Sequence, residues 1–184
     1  MKEEHKTKRI EEIIASSIAV KQKILEDKDL LDTLLQVKDL MVGVLHNDHK
    51  ILFCGNGGSA ADAQHLAAEL SGRFYKERKP LYTEALHVNS SYLTAVANDY
   101  SFEEVYSRLV QAKGRKGDVL FCLTTSGNSA NIIKAAQTAH EQGVMVIGLT
   151  GKTGGKLAEF CNICIKVPSE DTPRIQEAHI LLGH

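Results

Sequence analysis

The stretch that decides the fold is ILFCGNGGSAADAQHLAAE, residues 51–69. An apolar run rich in strand formers, residues 51–54, stops at the glycine-rich loop of residues 55–58. Ala-rich sequence with good helix propensity begins at Ser59, so the pattern predicts a strand, a glycine loop and a helix in succession. Such a loop lets the backbone approach a ligand, and the positive end of the helix dipole faces an anion. We therefore expect a phosphate group here.

Four polar side chains of the predicted helix are candidates for function. Ser59 is predicted at the N-cap, where its hydroxyl either caps the helix or binds a phosphate oxygen, and Asp62 suits the helix dipole. His65 and Glu69 are four residues apart and share a helix face. Taken alone, these two residues are a solvated surface pair as readily as a site.

Composition sets the class of protein. The chain has 184 residues, of which 43% are hydrophobic and 24% charged, and this is typical of one globular domain with a real core. A net charge of −1 gives no electrostatic basis for non-specific nucleic-acid binding. No apolar run approaches the roughly 20 residues of a membrane helix, and the N-terminus is polar. We expect a cytoplasmic protein.

The four cysteines, Cys54, Cys122, Cys161 and Cys164, all lie in apolar runs, which indicates reduced core thiols rather than a disulfide framework. Cys161 and Cys164 form a C-x-x-C in a strand-like run, with no second pair and no following helix. This context favours neither redox nor metal chemistry.

The first 48 residues are predicted to form a helical layer attached to an α/β core of residues 49–184. Two helices are expected, at residues 5–26 and 29–46, and the layer could pack on the sheet or on a second subunit. The first helix has an apolar stripe: Ile10, Ile13, Ile14, Ile18 and Leu25.

The core alternates strands and helices. Further strands are predicted at residues 83–88, 118–123, 144–149 and 162–167, with a helix break at Asn98 and Asp99. Non-alternating apolar strands predict a doubly wound, three-layer α/β fold around a five-stranded parallel sheet. A charged loop at residues 73–80 is interpreted as solvated; its cations are Arg73, Lys76, Arg78 and Lys79.

The segment TTSGNS, residues 124–129, repeats the plan of the first motif, because a strand again feeds a polar loop and a helix begins at Ser129. Its polar side chains surround one small concavity: Thr124, Ser126, Asn128 and Ser129. Ligands of parallel sheets bind beyond the carboxyl ends of the strands, so the two loops should converge there. Without a Walker lysine or a G-x-G-x-x-G motif, a sugar phosphate is the best candidate ligand.

Five segments, CGNGGSAADAQHLAAELSGR, AND, TTSGNS, LTGKTGG and RIQEAHI, resemble the sugar isomerase (SIS) family over nearly the whole chain. The resemblance implies conversion of sedoheptulose 7-phosphate to D-glycero-D-manno-heptose 7-phosphate, for the heptose of lipopolysaccharide core or capsule. It also implies a homotetramer with active sites at subunit interfaces and a bound zinc.

The resemblance also implies the roles of individual residues. Substrate contacts are implied for Asn56, Gly57, Gly58, Ser59, Glu69, Asn98, Asp99, Thr124, Thr125, Ser126, Ser129 and Gln176. Metal and catalytic positions are implied for His65, Glu69, Gln176 and His184. Many relatives have Ser-Thr-Ser where this chain has residues 124–126, and a hydroxyl is retained at the changed position.

Aldose–ketose exchange through an enediol needs one group to move a proton between C1 and C2 and another to move protons between the oxygens. Glu69 and His184 are the candidates, and either could abstract the carbon-bound proton. On one straight helix Gln176 and His184 are about 12 Å apart, so one metal can barely take both from one chain. Spacing alone favours Gln176 with His179, which is therefore an alternative ligand.

Two other functions remain open from the sequence: a non-catalytic sugar-phosphate binder, including a regulator that associates with the replication initiator, and an isomerase of another sugar phosphate. The presence of Glu69, His184 and His65 favours an enzyme. A helix that carries a catalytic residue should continue beyond it, so we expect further helical turns after His184.

Overall fold

A computed structural model describes the backbone of residues 2–184 and the side chains from residue 7 onward. Its five strands form one parallel sheet in the order β2-β1-β3-β4-β5, which confirms the predicted sheet. The strands are β1 (Ile51–Gly55), β2 (Thr83–Ala85), β3 (Val119–Leu123), β4 (Met145–Thr150) and β5 (Ile163–Lys166). The second strand is shorter than predicted and lies at one edge of the sheet.

Seven α-helices surround the sheet in the described part of the chain. They are α1 (Lys2–Glu26), α2 (Lys28–His46), α3 (Gly58–Ser71), α4 (Ser90–Asp99), α5 (Glu104–Lys113), α6 (Ala130–Glu141) and α7 (Thr172–Gly183), with a 3-10 helix at Lys156–Phe160. The predicted break at Asn98 and Asp99 is wrong, because α4 continues through both residues. The chain leaves the helix at Tyr100 instead.

The first helix after the glycine loop begins earlier than predicted. Its N-cap is Gly57, and Ser59 lies inside the first turn, so the predicted N-cap at Ser59 is wrong. Gly57 has φ +55, a left-handed conformation that glycine adopts without the steric cost of a Cβ. No side chain caps this helix end. Ser59 and Ala60 donate their N–H groups to the Asn56 and Gly57 carbonyls, while those of Gly57 and Gly58 donate to no carbonyl among the described residues and face a possible ligand.

The two faces of the sheet are covered by different helices. Alternate strand residues such as Leu52 and Leu120 pack against α4, α5 and α6, while their neighbours Phe53 and Phe121 pack against α2, α3 and α7. The glycine loop after β1 therefore leads to one face, and the polar loop after β3 leads to the other. Between adjacent strands with this topology a crevice opens at the carboxyl end of the sheet.

The N-terminal helices pack differently from each other. Val37 and Val44 of α2 are buried against the sheet, as the first alternative for this layer predicted. In α1, Val20 and Ile24 are buried beside α7. The predicted apolar stripe of α1 is exposed along its length, at Ile10, Ile13, Ile14, Ile18 and Leu25.

A buried carboxylate closes the amino end of the sheet, at the opposite end of the strands from the crevice. Asp118 is 1% exposed and accepts hydrogen bonds from the backbone N–H groups of Lys50 (3.1 Å) and Arg115 (2.8 Å). The Lys50 ammonium pairs with it at 2.5 Å.

No helix in the described residues is long and apolar enough to cross a lipid bilayer.

Candidate active site

The two polar loops meet, as predicted. The side-chain amide of Asn56, in the glycine loop, donates to Asn131 Oδ1 at 2.8 Å, and the amide of Asn131 donates back to Asn56 Oδ1 at 2.9 Å. Asn131 lies in the first turn of α6 and is 2% exposed. This reciprocal pair joins the starts of two helices on opposite faces of the sheet, and so sets the width of the crevice.

The glycine loop is held by close packing. The phenol of the buried Tyr106 donates to the Gly55 carbonyl, and burial raises the pKa of Tyr106, so the donor stays protonated. A Cβ on Gly55 would lie 2.4 Å from the Ser59 carbonyl oxygen, and a Cβ on Gly58 would lie 1.6 Å from Gln176 Nε2. Backbone atoms leave no space for a side chain at position 55, whereas at Gly58 the Gln176 side chain lies directly against the loop and would have to move.

The second loop presents hydroxyl groups. Thr124 Oγ1 lies 3.4 Å from Ser129 Oγ, and Ser126 Oγ accepts the backbone N–H of Asn128 at 3.1 Å. Gly127 has φ +66, and a Cβ there would lie 2.0 Å from the Gly154 carbonyl oxygen. The loop therefore packs tightly on the segment after β4 and turns its polar atoms toward the carboxyl end of the sheet.

Further along α3, His65 and Glu69 lie beside His184, and we call these three titratable side chains the trio. Each offers a ligand or proton-transfer atom, and these atoms all lie within 4.8 Å of one another. His65 Nε2 is 2.9 Å from His184 Nε2 and 3.5 Å from Glu69 Oε1. The surface-pair interpretation of His65 and Glu69 leaves out His184, which the tertiary fold brings to them from the end of α7.

One aromatic ring and one cationic side chain hold parts of the trio in place. Phe74 stacks on the His184 ring, with centroids 5.4 Å apart. The guanidinium of Arg78 donates to the backbone carbonyls of Glu69 (2.9 Å) and Leu70 (2.7 Å) at the end of α3. The interpretation of Arg78 as a solvated loop charge is therefore wrong, because it caps a helix.

Asp62 is a site residue whose role the sequence did not reveal. It precedes His65 by three residues and shares the helix face of the trio, a spacing that would have identified it. One carboxylate oxygen is buried without a hydrogen-bond partner. Burial raises the pKa of Asp62, and the nearby His65 and His184 lower it in part. Asn131, in contrast, has no local signal, because its partner is 75 residues away.

The remaining residues that the sequence predicted for the site lie away from the trio. Gln176 lies against Gly58, two helical turns before His65 on α3. His179 is fully buried and faces the backbone of Thr150, so its ring is not part of the trio. Asn98 and Asp99 are exposed at the end of α4 and bond to each other at 2.9 Å. The Thr125 carbonyl accepts a hydrogen bond from the Gly151 N–H at 3.1 Å.

The trio has the chemistry of a metal site. Imidazole nitrogens and a carboxylate oxygen are the donors that zinc prefers, and three protein ligands are typical of a catalytic zinc centre. Their separations of 2.9–3.5 Å match the spacing of atoms that share one ion, and the buried, unpartnered Asp62 oxygen adds negative charge beside them. These residues therefore fit a bound metal ion.

The comparisons with known proteins agree with this geometry. The chain belongs to the SIS domain family, since a sequence model of the SIS domain matches residues 7–151. This confirms the resemblance found in the sequence.

Within that family, the chain is similar to phosphoheptose isomerases. It is 53% identical over 171 residues to the phosphoheptose isomerase of Aneurinibacillus thermoaerophilus, covering 93% of this chain and 86% of the relative. It is 51% identical over 174 residues to that of Mycobacterium tuberculosis, covering 95% and 89%. The structure of the Neisseria gonorrhoeae phosphoheptose isomerase matches with a TM-score of 0.91 at 48% identity, over 97% of this chain and 94% of that one.

Proposed function

We propose that this protein is an aldose–ketose isomerase that converts sedoheptulose 7-phosphate into D-glycero-D-manno-heptose 7-phosphate, for the heptose of lipopolysaccharide core or capsule. The observation that carries the proposal is the trio, in which His65 and Glu69 of the helix that begins at the glycine loop meet His184 from the end of α7. The relatives named phosphoheptose isomerase support the choice of substrate.

The anionic end of the substrate binds at the two polar loops. The start of α3 offers the N–H groups of Gly57 and Gly58, and the second loop offers the hydroxyls of Thr124, Ser126 and Ser129. Ser59 and His65 are six residues apart, about 9 Å along the helix axis. A seven-carbon sugar phosphate in its open-chain form can bridge this distance, with its carbonyl end at the trio.

Proton transfer is assigned to Glu69 and His184. One group takes the proton from C1 or C2 and returns it to the neighbouring carbon, while the other moves protons between the two oxygens. Their reactive atoms lie within 4.8 Å, so both reach adjacent carbons of one substrate. His65, Glu69 and His184, with Gln176 as a further candidate, would hold a zinc ion, which supplies Lewis-acid polarisation of the carbonyl. Asn56, Gly57, Gly58, Asn98, Asp99 and Thr125 are proposed to contact the sugar.

The active form is proposed to be a homotetramer in which a neighbouring chain completes each site. Within one chain the His65 side chain is 48% exposed and that of Glu69 is 25% exposed, whereas this chemistry needs water excluded. A groove of about 660 Å³, lined by apolar side chains of α2, α3 and α7, opens directly beside Glu69 and His184. Covering this groove would also enclose the trio. A cytoplasmic location stays a prediction.

The test is turnover of the purified protein on sedoheptulose 7-phosphate, with the product identified by NMR beside ketopentose and ketohexose phosphates. Glu69→Gln keeps the size of the side chain and removes the carboxylate. We expect kcat to fall by roughly 100- to 10,000-fold, the usual contribution of a general acid or base.

Glu77→Gln is the matched control, because Glu77 is an exposed acid whose only ion pair is with the exposed Arg73 among the described residues. It should keep full turnover. Wild-type turnover in Glu69→Gln would remove the catalytic assignment. Binding of the sugar phosphate without any turnover by the wild-type protein would favour a regulatory binder instead.

A further inference from the structure

Four thiols lie in one row across the sheet, on the face opposite the trio of His65, Glu69 and His184. Cys54 pairs in register with Cys122, Cys122 with Gly148, and Gly148 with Cys164. Residues in register on neighbouring parallel strands point to the same face. Cys54, Cys122 and Cys161 pack with the helices of that face, whereas α3, which carries His65 and Glu69, packs on the other. The row is thus independent of the isomerase site.

The row contains two thiol pairs that differ in access to solvent. Cys54 and Cys122 lie on central strands, are fully buried, and have sulfurs 3.6 Å apart. Cys161 and Cys164 lie at the edge strand β5, and both are half-buried. The expectation that all four are core thiols is therefore wrong for the second pair. Unlike the first pair, these two residues are partly accessible to solvent.

Gly148 creates the space in which the second pair meets. A Cβ at this position would lie 2.6 Å from Cys161 Sγ and 3.4 Å from Cys164 Sγ. Both sulfurs therefore fill the gap above one glycine Cα, and the Cys161 thiol donates to the Leu157 carbonyl at 3.3 Å. The sequence predicts no redox or metal chemistry for this C-x-x-C, because it lies in a strand-like run. In the structure, a bend before β5 turns both side chains to the same side.

The two sulfurs differ in character. The adjacent Cys161 side chain, together with the Thr150 hydroxyl 3.6 Å away and the charge of Lys166, lowers the pKa of Cys164 to about 6 despite its partial burial. The same contact and burial raise the pKa of Cys161. Near neutral pH this gives one thiolate beside one thiol, which is the arrangement of a reactive cysteine with a resolving partner.

We propose that Cys161 and Cys164 are a redox-active dithiol that a hydroperoxide converts into a disulfide within the chain. The Cys164 thiolate attacks the terminal oxygen of the hydroperoxide, which breaks the O–O bond and forms the sulfenic acid. The departing alkoxide, or hydroxide when the oxidant is hydrogen peroxide, takes a proton from solvent and leaves as an alcohol or as water. The Cys161 thiol then attacks this sulfur, and its proton leaves with the hydroxyl group as water. Two electrons pass from the dithiol to the peroxide, so no other reactant is needed.

The experiment follows the tryptic peptides of the full-length protein. After brief treatment with hydrogen peroxide, the protein is alkylated with N-ethylmaleimide in denaturant, digested and analysed by mass spectrometry. Residues 157–166 form one peptide with both edge cysteines, while Cys54 and Cys122 lie in separate peptides, 51–73 and 117–134. We expect the 157–166 peptide to lose two hydrogens and carry no label. The other two peptides should stay labelled, as in the untreated protein.

Single variants test the order of the steps. Cys161→Ser should stop at a sulfenic acid on Cys164 that dimedone traps, whereas Cys164→Ser should slow peroxide consumption at least about tenfold. Cys54→Ala, a matched control in the buried pair, should form the 157–166 disulfide like the wild type. Full labelling of both edge cysteines in the peroxide-treated wild type would overturn the proposal. So would earlier loss of label from the 51–73 and 117–134 peptides.

Discussion

His65 and His184 show how much of this site depends on single side chains. Their Nε2 atoms are 2.9 Å apart, so one ring must donate a proton that the other accepts, unless both bind one metal ion. Glu69 lies beside them on α3. The nearby Phe74 ring supports His184 by stacking. The three side chains are therefore held together by direct contacts.

His179 gives a residue-scale prediction about pH. Burial lowers its pKa to about 4, so the folded protein keeps the ring neutral while the unfolded chain takes up a proton below about pH 6.5. The unfolded state then binds more protons, and the free energy of unfolding falls as the pH drops. Between pH 7.5 and pH 5 this loss should be about 2 kcal/mol.

Urea unfolding of the wild type and of His179→Gln at both pH values measures this effect. Subtracting the two proteins at each pH cancels the titration of the carboxylates. The variant should lose about 2 kcal/mol less than the wild type on acidification. Equal losses in the two proteins would show that His179 is protonated in the folded state.

At the scale of elements, three parts of α3 contribute different groups to the proposed site. Its uncapped start faces the proposed phosphate, its middle carries His65, and its last turn carries Glu69. The C-terminal end is held from outside by Arg78, which donates to the carbonyls of Glu69 and Leu70. A cation at this end also opposes the negative end of the helix dipole.

Removing this cap tests its importance. Arg78→Met should lower the free energy of unfolding by about 1 kcal/mol and speed amide hydrogen exchange at the end of α3. It should also lower kcat, because the turn that bears Glu69 loosens. Lys79→Met removes an adjacent exposed cation and should stay within about 0.5 kcal/mol of the wild type. Identical exchange in both variants would refute the capping role.

At the scale of the whole molecule, the apolar surface of α1 is unusual. Ile14 and Ile18 are 55% and 61% exposed, and they share a face with Ile10. Contiguous apolar surface of this kind marks an interaction site. Together with the open trio and the groove beside it, this face supports assembly of several copies of the chain.

The double variant Ile14→Glu with Ile18→Glu should prevent assembly, because each buried isoleucine contributes about 1.5–3 kcal/mol. Light scattering should show a mass below that of four chains, and turnover should fall in parallel. Lys23→Glu changes the charge on another exposed side of α1 and should keep both properties. A four-chain mass in the double variant would exclude this face as the contact.

The sequence by itself determined the parallel sheet, its five strands and the two polar loops, because strands, turns and helix starts are set by neighbouring residues. It also determined the family, since the motifs that carry the resemblance are short and ordered. The division at residue 48 and the roles of Asn98, Asp99 and Gln176 stay predictions.

Only the tertiary structure decided which distant side chains meet. His184 reaches His65 across 119 residues, and Asn131 pairs with Asn56 across 75. The edge cysteines converge over Gly148, and Arg78 turns back onto α3. These contacts depend on how helices pack against the sheet, and a sequence pattern with a period of two or 3.6 residues specifies the buried face but not the partner across it.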